Sequence, residues 1–236
     1  MNNPVTVPKP RQPWSVRRIV VTAMLAAITV LLAFTPVGMI PMPPPLPAVT
    51  LVHLPVIIAA LLEGPVVGVS IGFVFGISSL VRAWSSAAVG LTLFFRNPLV
   101  SVVPRMLIPL AVWGVYELLS RLFRKTKIAD KAVSAVAAAV GAVTNTVLCL
   151  GMIVLIYGQD LTEIVNNLIS TGDAGQTYLN HAGAWLVAVV GLPNGIAEAV
   201  VAALLIPIIK IAVEASTKRF RRGKNTGSPA AGNTST

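Results

Sequence analysis

The sequence predicts an all-α, polytopic membrane protein, a bundle of six transmembrane helices, on three observations. Hydrophobic residues make up 55% of the 236 and charged residues only 11%, less than half the ~25% of an average soluble domain. Mean hydropathy is +0.81. Six aliphatic segments stand apart, at residues 17–34, 49–62, 66–81, 98–123, 132–157 and 182–213. The cations gather in three clusters at the ends of such segments, as they do in spanning proteins.

The first segment follows Arg17-Arg18 and resembles a secretory signal at its start. Its apolar core runs into Thr35-Pro36-Val37-Gly38 without a small-x-small cleavage pattern, so it reads as a retained span. The second is short, about 21 Å if wholly helical at 1.5 Å per residue; a tilted helix and a re-entrant piece both fit it. Only Glu63-Gly64-Pro65 separates it from the third, the mark of a tight helix–helix turn. The fourth opens with NPLVSVVPR, the fifth carries Thr144-Asn145-Thr146, and the sixth contains Pro193, which removes a backbone donor and invites a kink. Residues 1–14 and 215–236 are polar or small-residue rich and read as disordered cytoplasmic ends around one domain, 15–214. No internal repeat is evident, which disfavours an inverted-repeat secondary transporter.

The net charge of +10 does not point to nucleic acid, because of where it lies. Lys9, Arg11, Arg17 and Arg18 precede or open the first segment; Arg121, Arg124, Lys125, Lys127 and Lys131 surround the connector after the fourth; Lys218, Arg219, Arg221, Arg222 and Lys224 follow the sixth. With six spans all three clusters fall on one side, cytoplasmic by the positive-inside rule, with both termini inside. They also favour anionic lipid headgroups. The opposite loops are more elaborate. Residues 36–48 hold six of the 18 prolines, 83–96 mix Trp84 with Phe94 and Phe95, and 157–181 hold Asp160, Glu163 and Asp173. A site opening to that outer side is expected.

The polar residues inside the apolar segments are the candidate site. Asn97, Ser101 and Arg105 recur every four residues and form one helical stripe. A cation at that depth costs about 2.5–3.5 kcal/mol on insertion scales, so it faces a bundle interior or a watery cavity. Arg105 either binds a ligand or anchors its helix by pairing with a buried acid; both readings stand. Glu198, one turn beyond Asn194 in the sixth segment, is the obvious partner. Asn145 lies mid-way along the fifth. Thr50 and His53 open the second, near the outer mouth. No second histidine or acid sits at ligand spacing to His53, and the single Cys149 supports neither a disulfide nor a metal site. Nothing implies a cofactor. No Walker-type GxxxxGK[ST], HExxH or GxSxG is present, so any ATP-driven process needs another chain to hydrolyse ATP.

The strings RRIVVTAMLAAITVLL, VTLVHLPVIIAALLEGPVVGVSIGFVFGISSLV, NPLVSVVPRMLIPL and PNGIAEAVVAALLIPIIK, in that order between residues 17 and 210, resemble the substrate-binding S components of energy-coupling factor (ECF) transporters. The resemblance implies a six-helix bundle of that type in a bacterial plasma membrane. It implies capture of a vitamin and coupling to a transmembrane T component and two ATPases. Ala23 and Ala27 match the family's AxxxA pattern in the first helix, which docks on the T component; ordinary packing is the other reading of small residues one turn apart. Thr50-Leu51-Val52-His53-Leu54-Pro55 is similar to a THxP string with one extra residue, closest to pantothenate or cobalamin members. Riboflavin and folate are further options. Arg82, Arg96 and Arg105 on the outer half suit an anionic vitamin such as pantothenate, whose carboxylate an Arg grips with paired hydrogen bonds. Outside this family, an integral membrane enzyme and a stand-alone secondary transporter are the competing classes.

Overall fold

A computed structural model of the chain describes residues 15–40, 49–85, 90–123, 127–170 and 181–226. The expected disordered N-terminus (1–14), the proline run 43–45 and the last ten residues of the tail lie outside the described residues. Helix α1 (Val16–Phe34) is capped by Ser15, whose hydroxyl accepts from Arg18 N–H, and ends at extended Thr35 before Pro36. A one-turn 3₁₀ segment (Pro36–Gly38) folds the chain back on α1, so closely that a Cβ at Gly38 would lie 2.0 Å from the Leu32 carbonyl oxygen. Strand β1 (Met39–Ile40) then pairs antiparallel with β2 (Val49–Thr50).

Helix α2 (Leu54–Glu63) is the short segment anticipated, but it begins at Leu54 and not at Val49. Val49 and Thr50 are occupied in the hairpin, and a turn at Val52-His53 leads into the helix. Ten residues reach about 15 Å, half a hydrocarbon core, and Leu54 through Ala60 are all buried. Gly64, at φ 90°, makes the turn into α3 (Pro65–Ser85). Helix α4 (Pro98–Leu122) and α5 (Lys127–Ser170) follow, the latter kinked at Tyr157. Tyr157 was expected to end the fifth span; instead the chain resumes a helix, because the Tyr157 ring packs 4.8 Å from Phe94 and its hydroxyl accepts from Asn97 Nδ2. Ile153, Leu161 and Val165 then pack with Phe94, Val100 and Trp185 in a second apolar cluster.

The last rod comprises α6 (Ala182–Trp185), a π segment (Leu186–Gly191) and α7 (Leu192–Thr226), which continues into the stretch expected as tail. The widened turn sits just ahead of Pro193, with Leu192 N–H donating to Val187 O. A proline lacks the N–H and crowds the carbonyl four residues back, and a π step accommodates both. Among the described residues five helices are long and apolar enough to cross a membrane, and α2 is a shorter apolar helix beside them.

The α3–α4 contact is glycine-built. A Cβ at Gly68 would lie 2.5 Å from Pro109 Cβ, one at Gly72 2.3 Å from the Arg105 carbonyl oxygen, and one at Gly76 2.7 Å from Val102 Cα. Residue 109 is proline and donates nothing back to the Arg105 carbonyl, and Gly72 packs on that site. Gly72→Ala therefore forces α4 away. It should destabilise the bundle by about 1–3 kcal/mol, whereas Gly114→Ala, with open space around it, should stabilise by roughly 0.5–1 kcal/mol. Thermal unfolding in detergent reads both signs; equal melting temperatures would refute the close contact.

At the end bearing the basic clusters, Arg18 Nη2 donates to the Glu63 carbonyl (2.9 Å) and Arg17 lies 3.5 Å from the Glu63 carboxylate, tying α1 to the foot of α2. Nearby Lys210 of α7 donates to Asp130 and Ser134 of α5 and to Tyr116 of α4, at 2.8, 3.1 and 2.8 Å. Those bonds use all three ammonium protons, which is how this buried lysine is tolerated.

Candidate functional site

At the opposite end the helices part around a cavity of about 460 Å³. Its residues come from α1 (Ala33), the hairpin (Met39, Thr50), α3 (Phe75, Ser79, Arg82), α4 (Arg105), α5 (Asn145, Cys149, Ile153) and the last rod (Val190, Asn194, Glu198), with Phe95 from the 3₁₀ segment Gly90–Arg96. Each of the long helices α1, α3, α4, α5 and α7 contributes.

Arg105 is 6% exposed. Its placement follows from its neighbour: Pro104 has no N–H, which leaves the Val100 carbonyl without its helical donor, and Arg105 Nη1 donates to that oxygen at 2.8 Å. The guanidinium lies between two aromatic rings, 5.3 Å from the Phe75 centroid and 5.0 Å from that of Phe95. Contacts of this kind contribute about 2 kcal/mol or more when desolvated. They hold the plane still without using its protons, and Arg105 Nε is buried without a hydrogen-bond acceptor. A buried donor left open in this way is uncommon.

Glu198, 4% exposed, faces the same cavity but does not meet Arg105; among the described residues the two form no ion pair. The expected partnership is replaced by one with the hairpin. Glu198 Oε1 accepts from both the amide (2.9 Å) and the hydroxyl (2.7 Å) of Thr50. Asn194 also lines the cavity, and its Oδ1 is buried and unpartnered. Asn145 Oδ1 accepts from the Cys149 thiol at 3.6 Å.

Of the eight residues expected to form the site, Thr50, Arg105, Asn145, Asn194 and Glu198 line this cavity, and three do not. Asn97 caps α4, its Oδ1 accepting from Leu99 N–H while Nδ2 reaches Tyr157. Ser101 is wholly buried and donates to the Phe95 carbonyl. The shared stripe is real, but helix capping and loop anchoring occupy its first two members. His53, expected near the mouth, is fully buried at the start of α2 and does not line the cavity. Arg96 is also displaced from the site: it donates to the Ala83 carbonyl and stacks 5.3 Å from the Trp84 ring.

Phe75 and Phe95 were not anticipated. Their signal was faint: Phe75 adjoins Gly76, within the four-residue glycine spacing that marks where α4 approaches. Among the described residues no group of three or more His, Cys, Asp or Glu side chains converges to hold a metal.

The family model of the ECF transporter, substrate-specific component, matches residues 17–210. The chain belongs to that family. This makes it a membrane-embedded, multi-pass subunit that confers substrate specificity on an ECF transporter, and the matched span takes in every cavity residue named above. No curated protein matches the chain by sequence. Ala23 and Ala27 of this S component are both exposed on α1, one turn apart. Only Thr29 and Ala33 of α1 are buried, while Val20, Met24, Ile28 and Leu31 are exposed.

Proposed function

We propose that this S component captures a small anionic vitamin, pantothenate first among candidates, and delivers it to an ATP-driven importer with a T component and two ATPases. The observation that carries the reading is Arg105: a desolvated guanidinium, fixed between Phe75 and Phe95, with an open N–H in a cavity of vitamin size. A planar fork held in that way suits a carboxylate, and about 460 Å³ falls in the ordinary range of small-molecule sites, ~300–1,000 Å³. A corrinoid with its macrocycle and appended nucleotide is larger than this space, which weighs against cobalamin. Arg82 also lines the cavity and adds a second cation. Arg17, Arg18, Arg121 and Lys131 of the basic clusters lie at the other end of the bundle; by the positive-inside rule that end is cytoplasmic and the cavity opens outward from a cell membrane.

Calorimetric titration of the purified chain with pantothenate, riboflavin, folate and cobalamin tests the substrate. Coexpression with T and ATPase subunits tests the assembly. Saturable pantothenate binding without turnover, and copurification of all subunits, is the expected result. Preferred binding of a neutral vitamin would overturn the anion assignment. Uptake by the chain alone would favour a stand-alone transporter.

A further inference from the structure

The cavity is lined by two cations, Arg82 and Arg105, and by two polar residues of α7, Asn194 and Glu198, one turn apart on a single face. Asn194 Oδ1 is unpartnered, and Glu198 has one oxygen satisfied by Thr50 while Oε2 has no protein partner among the described residues. Both open atoms are acceptors. Their side chains start about 5–6 Å apart, the i, i+4 spacing of a helix.

From this arrangement we infer that α7 selects a ligand whose far end carries two neutral hydrogen-bond donors, a hydroxyl pair, with the anion at Arg105 setting its direction. Both the carboxylate side chain and the amide oxygen offer acceptors, so the matching ligand atoms are donors. Hydroxyls meet that need without bringing a further charge into a desolvated cavity. Glu198 is thus a specificity residue, and through Thr50 it is also the one polar link from that ligand end to the β1–β2 hairpin among the described bonds. The inference rests on the reading of the site as an anionic-vitamin pocket.

The test compares pantothenate, which has a hydroxyl pair, with the acid in which both hydroxyls are replaced by hydrogen. Wild-type protein should prefer pantothenate by roughly a hundredfold or more, because the analogue leaves buried acceptors unpaired. Glu198→Gln keeps an oxygen for Thr50 but turns a donor toward the ligand. It should weaken pantothenate about ten- to hundredfold without weakening the dideoxy acid, whose anion loses a repelling charge. Equal wild-type affinities for the two acids, or an equal loss of both in Glu198→Gln, would overturn the inference while the anion reading stands. Failure of wild-type protein to bind either acid would overturn both.

Discussion

Arg105→Ala should weaken pantothenate binding by about one to two orders of magnitude. A hydrogen bond to a charged group is worth roughly 1.5–3 kcal/mol, and each 1.4 kcal/mol is about tenfold in affinity. Arg105→Lys should recover only part of the loss, since a point charge cannot reproduce a planar fork between two rings. The same side chain has a structural task, donating to the Val100 carbonyl that Pro104 leaves open. That carbonyl sits near the helix start, so the variant should lose some stability yet remain folded. Calorimetric titration of monodisperse Arg105→Ala, with its melting temperature measured alongside, separates the two roles. Unchanged affinity in a folded but less stable variant would make Arg105 a helix anchor alone.

Ala23→Trp or Ala27→Trp should abolish most ATP-driven uptake by the full complex while the isolated chain binds substrate normally. Both alanines are exposed on a helix that buries little of itself in this bundle, so an indole has room there and the cavity at the other end is untouched. Close approach of a partner helix depends on small side chains, and an indole on either turn would hold that helix off. Uptake in vesicles and binding by the isolated variants are the two measurements. Normal uptake would show that this face meets lipid and not a T component.

Much of the architecture was legible because lipid restricts what a chain can do. Apolar runs must close their own hydrogen bonds, so segment count and order could be read from the sequence, as could the buried arginine. The Gly68-Gly72-Gly76 spacing was equally visible and is the signature of the close α3–α4 contact, yet small-residue spacing marks a close approach without naming the partner helix. The first-helix alanines and the third-helix glycines look alike in sequence, but one set is exposed and the other buried against α4.

The sequence by itself determined which residues share a helical face: Asn97 with Ser101 and Arg105, Asn194 with Glu198. Periodicity is a local property of the backbone, so it survives any packing. Only the tertiary structure decided what those faces meet. Asn97 went to a helix cap and Ser101 to the Phe95 carbonyl. Arg105 went between rings from two other elements, and Glu198 to a threonine 148 residues away. A buried polar group must find a partner or leave an opening for one. Which of the two it does depends on where distant segments bring their own donors and acceptors, and that is settled by the packing of whole helices against one another.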